Sequence, residues 1–230
     1  MPTAKPRTNH QSREVAVITD DATLDGQLEV PAEALGLVLF AHGSGSSRHS
    51  PRNRYVAEVL NNAKVATLLF DLLTSQEGER DAFDRSLRFD IELLAGRVIG
   101  AIDWVAEQAE IGELPIGLFG ASTGAAAALV AAAARPRRVA AVVSRGGRPD
   151  LAGEALTLVC APTLLIVGGR DTEVLRMNQS ARARMQGPVE ISIIEGATHL
   201  FEQPGALEQV ASRAAAFFRE KFIGNTRIAD

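Results

Sequence analysis

For most of its length the chain alternates purely apolar runs with segments whose apolar residues recur every three or four positions. The apolar runs are "GLVLFAHG" (36–43), "VATLLFD" (65–71), "PIGLFG" (115–120), "VAAVVSRGG" (139–147), "TLLIVGGRD" (163–171) and "VEISIIEG" (189–196). Runs without polar alternation predict strands of a parallel sheet covered on both faces. Between them, "RNRYVAEVLNNA" (52–63), "DIELLAGRVIGAIDWVAEQA" (90–109), an alanine run after residue 122, a short "PDLAGEALTLV" (149–159), "EVLRMNQSARARM" (173–185) and "LEQVASRAAAFFREKF" (207–222) predict helices. Ahead of this βα alternation, "EVAVI" (14–18) and "LDGQLEV" (24–30) flank a polar turn and predict an N-terminal hairpin. Right-handed crossovers then nearly fix the winding of a single α/β domain over residues 1–230. Residues 1–12 and the last half dozen read as loose tails. The charged stretch "LTSQEGERDAFDRSLR" (73–88) reads as a long loop or broken helix at a strand's carboxyl end, where it flanks a site.

Composition narrows the function. Acidic residues outnumber Lys and Arg together, for a net charge of -4, so no basic footprint points to nucleic acid. No apolar stretch approaches the roughly 18 residues of a membrane span, and the N-terminus lacks a signal-type apolar core. The expectation is a soluble, cytoplasmic protein with no membrane or nucleic-acid partner. Cys160 is the single cysteine, so no intrachain disulfide forms, and its apolar neighbours predict a buried, inert thiol. There is no H-E-x-x-H and no Cys/His cluster, so neither metal nor cofactor is expected.

The chemistry gathers at the ends of the predicted strands. In "GLFGASTGAAAALV" (117–130), Ser122 stands between Gly120 and Gly124, at the join of a strand and an alanine helix. A residue on so sharp a turn is exposed above the sheet edge, and its crowded neighbours must be small. A serine hydroxyl needs a base. Among the histidines, His10 lies in the tail, His49 in a polar loop and His42 on a turn whose backbone has another use. His199, in "EGATHLFE" after the last strand, remains. The base in turn needs an acid to fix its tautomer. Asp171, in "LLIVGGRDTEV", follows the next-to-last strand and preserves the order Ser, Asp, His; Asp150 is the alternative, and Asp71 reads as a turn or loop ion pair. Two backbone N–H groups are candidates for holding an oxyanion. One is that of Thr123, and the other that of Ser44 in "FAHGSGSS", with Gly45 as second choice. Leu72 with Leu73, and Phe201 with Leu200, are candidate substrate walls. Arg145 either binds a substrate carboxylate or pairs with Asp150 or a loop acid.

Together these motifs resemble the α/β-hydrolase superfamily from about Glu14 to about Phe222. The length, and the lack of an insertion for a cap, look like its dienelactone-hydrolase-like branch of small serine esterases. The resemblance implies an α/β-hydrolase fold: an eight-stranded, mostly parallel sheet flanked by about six helices, with no cap domain. It implies a carboxylester hydrolase acting on small-molecule esters. Dienelactone hydrolases proper carry a cysteine where this chain has Ser122. "SRGGRPDL" (144–151) also looks like a segment of bacterial relatives, some fused to a phosphoribosyltransferase domain that is not expected here. Two alternatives remain in other classes. One is a non-catalytic binding protein on the same fold. The other is a dinucleotide-binding unit built on "LVLFAHGSGSSR", with Asp71 toward the ribose; Arg48 stands where its third glycine belongs.

Overall fold

The computed structural model describes residues 11–226. The reading of residues 1–10 as a tail, His10 included, lies outside the described residues, as do residues 227–230. Gln11 and Ser12, expected in that tail, instead open β1 (Gln11–Ile18) and pair antiparallel with Val30 and Glu29 of β2 (Thr23–Val30). Their polar character concealed the strand, because β1 exposes most of its side chains at the sheet edge and is held by its backbone ladder.

The sheet continues through β3 (Leu37–Ala41), β4 (Ala66–Phe70), β5 (Ile116–Ala121), β6 (Val139–Arg145), β7 (Thr163–Gly168) and β8 (Val189–Ile194). Its eight strands run in the order β1-β2-β4-β3-β5-β6-β7-β8. β2 is antiparallel to β4, and every later pairing is parallel. All residues of β3, β4, β5 and β7 are buried, which is why those runs show no polar alternation. On one face α1 (Pro51–Asn62) and α6 (Ala206–Thr226) pack Val56, Leu60, Phe217, Phe218 and Phe222 against Phe40, Phe119 and Val143. On the other, α3 (Ile91–Ala106) and α4 (Thr123–Ala134) bring Leu94, Val98, Ile102 and Leu129 onto Leu39, Leu118 and Val142. α4 also packs against a 3-10 stretch, Pro149–Leu158, that breaks at Gly153 and leans on α5 (Thr172–Arg182). No helix among the described residues is long and apolar enough to cross a membrane.

Two expectations are corrected. Residues 75–84 form an uninterrupted helix, α2 (Ser75–Asp84), rather than a loop or a broken helix. Its start is a capping box: Thr74 Oγ1 accepts from Glu77 N–H at 3.2 Å, and the Glu77 carboxylate accepts from Thr74 N–H at 2.8 Å. Apolar periodicity missed it because its one buried residue is Asp81. Cys160, expected buried, is exposed. Its neighbours Val159 and Ala161 turn inward, and the alternation leaves the thiol outside, its Sγ 3.6 Å from Leu158 O.

Candidate active site

Ser122 sits between β5 and α4 with φ 51 and ψ -119. A non-glycine residue there is strained by about 1–3 kcal/mol. The surrounding structure enforces the strain: Ser122 N–H donates to Arg145 O, while Ser122 O accepts from the N–H groups of Ala125 and Arg148. Crowding explains the flanking glycines. A Cβ on Gly120 would lie 2.4 Å from Ala125 Cα, and one on Gly124 would lie 2.2 Å from Ala41 O. The turn therefore tolerates no side chain at either position, and α4 starts directly beneath the Ser122 hydroxyl.

The loop after β3 meets this turn. A Cβ on Gly43 would lie 3.3 Å from Ser122 Cβ and 3.2 Å from Ala121 O. Ser46 N–H closes a tight turn onto Gly43 O, with Gly45 at φ 67, where a type II turn demands a positive φ. Among the described residues, neither Ser44 N–H nor Thr123 N–H has a hydrogen-bond acceptor. His42 anchors the loop from below: its Nδ1 faces Gly43 O at 3.0 Å, and its Nε2 accepts from Leu72 N–H at 3.1 Å. Burial holds its pKa below 6.5, so the ring is neutral with the proton on Nδ1. Sequence reasoning set His42 aside as a base and did not foresee this structural use.

Past the other end of the sheet, His199 leaves β8 and returns toward the elbow. Its Nδ1 lies 2.7 Å from Asp171 Oδ2. Asp171 occupies the N-cap of α5 yet makes no capping bond with its side chain, which leaves the carboxylate to the imidazole. Asp150 lies elsewhere, its two oxygens taken by Arg148 at 2.9 and 2.8 Å. The histidine segment packs over the strand next to the elbow: a Cβ on Gly146 would lie 3.6 Å from His199 Cε1 and 3.1 Å from His199 O. Gln203 braces the segment by accepting from Thr198 N–H at 3.0 Å, a positioning role that carries no sequence motif. No hydrogen bond among the described residues joins Ser122 Oγ to His199; both side chains are partly exposed at this edge.

A cavity of about 210 Å³ opens beside Ser44. Gly43, Leu72, Leu73 and Leu94 line it with Gly78 and Ala82 of α2, and Asp81 and Arg88 also face it. Burial alone would raise the Asp81 pKa, but the backbone N–H groups of Arg88 and Leu87 and the Arg88 guanidinium hold it below the usual range. Leu72 thus stands in a cavity wall. Phe201, paired with it as a candidate wall, faces the other way: it is buried in the α1/α6 layer over Gly146 and supports the histidine segment. Its backbone is left-handed, at φ 56. Asp71 accepts from Arg48 N–H at 2.7 Å and pairs with the Arg48 side chain, so the acid of the dinucleotide alternative is engaged by the residue that replaces its third glycine. Arg145 is buried and has no acid within ion-pairing distance among the described residues.

Residues 34–219 match the family described as "Alpha/beta hydrolase domain". A dienelactone hydrolase from Anabaena variabilis is 57% identical, with a TM-score of 0.91 over 92% of this chain and 98% of that one. Two Mycobacterium tuberculosis proteins that carry the name phosphoribosyl transferase are 58% identical over 93% of this chain; the chain spans about half of their length (47%). Est1E from Butyrivibrio proteoclasticus is 16% identical and shares the fold alone, with a TM-score of 0.75 over 91% of this chain and 99% of that one.

Proposed function

This chain belongs to the α/β-hydrolase family, on its dienelactone-hydrolase-like branch, and we propose that it hydrolyses carboxylic esters of small molecules through an acyl-enzyme on Ser122. The observation that carries this reading is a strained serine elbow at φ 51 on the same sheet edge as a His199–Asp171 pair at 2.7 Å. His199 Nε2 takes the Ser122 proton as Oγ attacks the ester carbonyl, and the tetrahedral oxygen accepts from Thr123 and Ser44 N–H. His199 returns that proton to the departing alkoxide. A water deprotonated by His199 then attacks the acyl carbon, the acyl–Oγ bond breaks, and His199 passes that proton to Ser122 Oγ as the acid leaves. Asp171 keeps the Nδ1–H tautomer and stabilises the imidazolium. The Ser122–His199 hydrogen bond forms when substrate binds, since catalytic contacts are commonly long without ligand. The cavity beside Ser44 receives an apolar group of the ester.

The name of the 57%-identical neighbour favours a second reading, opening of an enol lactone by the same steps. A kinetic panel of p-nitrophenyl esters and an enol lactone, run on the wild type and Ser122→Ala, tests both. Turnover of one class, lost in the variant with its melting temperature retained, identifies the reaction. Wild-type-like turnover in Ser122→Ala removes the assignment.

A further inference from the structure

Val143 of β6 packs into the α1/α6 layer with Val56 and Phe201. Alternation along the strand puts Arg145 on that same face, one step nearer the carboxyl edge of the sheet. α1 begins at this edge, having followed β3, and its inward stripe of Val56, Ala57 and Leu60 continues one turn earlier through Asn53. The Arg145 side chain is thus directed at the first turn of α1, near enough to Arg52 for the two charges to repel. His199 O and the Phe201 ring lie over the next residue, 3.1 and 3.3 Å from a Cβ on Gly146.

The counter-charge is missing. Arg145 is 9% exposed, and its guanidinium makes no hydrogen bond or ion pair with any described residue. Arg52 Nε and Asn53 Oδ1 are buried without partners as well. The acid near Arg52 is Glu202, 3.8 Å away and largely exposed at the rim. Asp150, the partner that chain spacing offered, belongs to Arg148. Burial pulls Arg145 down to about 10, which leaves it charged at neutral pH. A buried cation with no partner is strongly unfavourable unless an anion completes it.

We propose that Arg145, Arg52 and the first turn of α1 form a niche for an oxyanion, carboxylate or phosphate, beneath the His199 segment. A guanidinium fork matches such a group in geometry and charge, and in the first turn of α1 the Arg52 N–H is left to donate, since Pro51 carries no N–H and Ser50 Oγ caps Asn53 N–H at 3.3 Å. The anion arrives as the charged end of a substrate, which rests on the esterase reading, or as a free ion that fixes the segment carrying His199.

Thermal melts of the full chain in inorganic phosphate, against sodium chloride of equal ionic strength, test the niche independently of catalysis. Saturating phosphate should raise the wild-type midpoint by roughly 3 °C or more. Arg145→Gln should lose that shift, and so should Arg52→Gln, whose site on the rim keeps the test open if the buried variant does not fold. A substrate-borne anion makes phosphate compete with a p-nitrophenyl monoester of succinate but not with p-nitrophenyl butyrate. Arg145→Gln then lowers the ratio of kcat/KM between the two by about tenfold. A free ion makes phosphate act on both esters alike. Phosphate that stabilises no more than chloride, or a shift retained in both variants, overturns the niche.

Discussion

Ser122 carries backbone strain at its φ of 51, and in the proposed reaction the same residue supplies the nucleophile. Ser122→Gly should therefore raise the unfolding free energy by about 1 kcal/mol while abolishing ester hydrolysis. Gly124→Ala should do the opposite, losing about 3 kcal/mol or more, because the new methyl meets the Ala41 carbonyl. Denaturant melts separate the two. The Asp171 carboxylate is the one that reaches His199, so Asp171→Asn should cost at least about a hundredfold in kcat and Asp150→Asn little. At this scale the sequence marks Ser122, Asp171 and His199, since each follows a strand in the order the chemistry needs. It does not show that Arg148 takes Asp150 and leaves Arg145 unpaired, nor that Phe201 turns into the core. Both depend on side-chain direction, which spacing does not carry.

At the scale of elements, β3, β4, β5 and β7 were legible because each is buried on both faces, edge strand β8 because its run is apolar although only Ile194 is buried, and α4 because it follows so tight a turn. α2 was not, because its apolar content is too low for periodicity to register; the Thr74 to Glu77 spacing of its capping box was the available signal. In the proposed reaction the element matters because Gly78 and Ala82 are the small residues that α2 puts on the wall of the cavity beside Ser44. A Cβ at Gly78 meets nothing within 4 Å, so Gly78→Leu should fold normally and project into that space. Hydrolysis of p-nitrophenyl butyrate should then fall relative to the acetate by about tenfold. An unchanged ratio would place the acyl chain elsewhere.

Across the whole molecule, the loops after β3, β5, β7 and β8 meet at one carboxyl edge, and the protonation of His42 couples that assembly to stability. The folded His42 has a pKa below its ordinary 6.5, chiefly through burial. The unfolded chain therefore takes up this proton first as pH falls. The contribution is complete above about pH 6.5 and is lost below it, as protonation of Nε2 removes the bond from Leu72 N–H. Melting temperature should decline on acidification through this range, and less steeply in His42→Gln. The central claim, an activated Ser122, is tested most directly by intact-mass and peptide mass spectrometry after brief exposure to a fluorophosphonate. The account predicts a single adduct on Ser122, absent in Ser122→Ala and formed at least about a hundredfold more slowly in His199→Ala. No adduct, or one on Ser44, Ser46 or Ser47 instead, would contradict it.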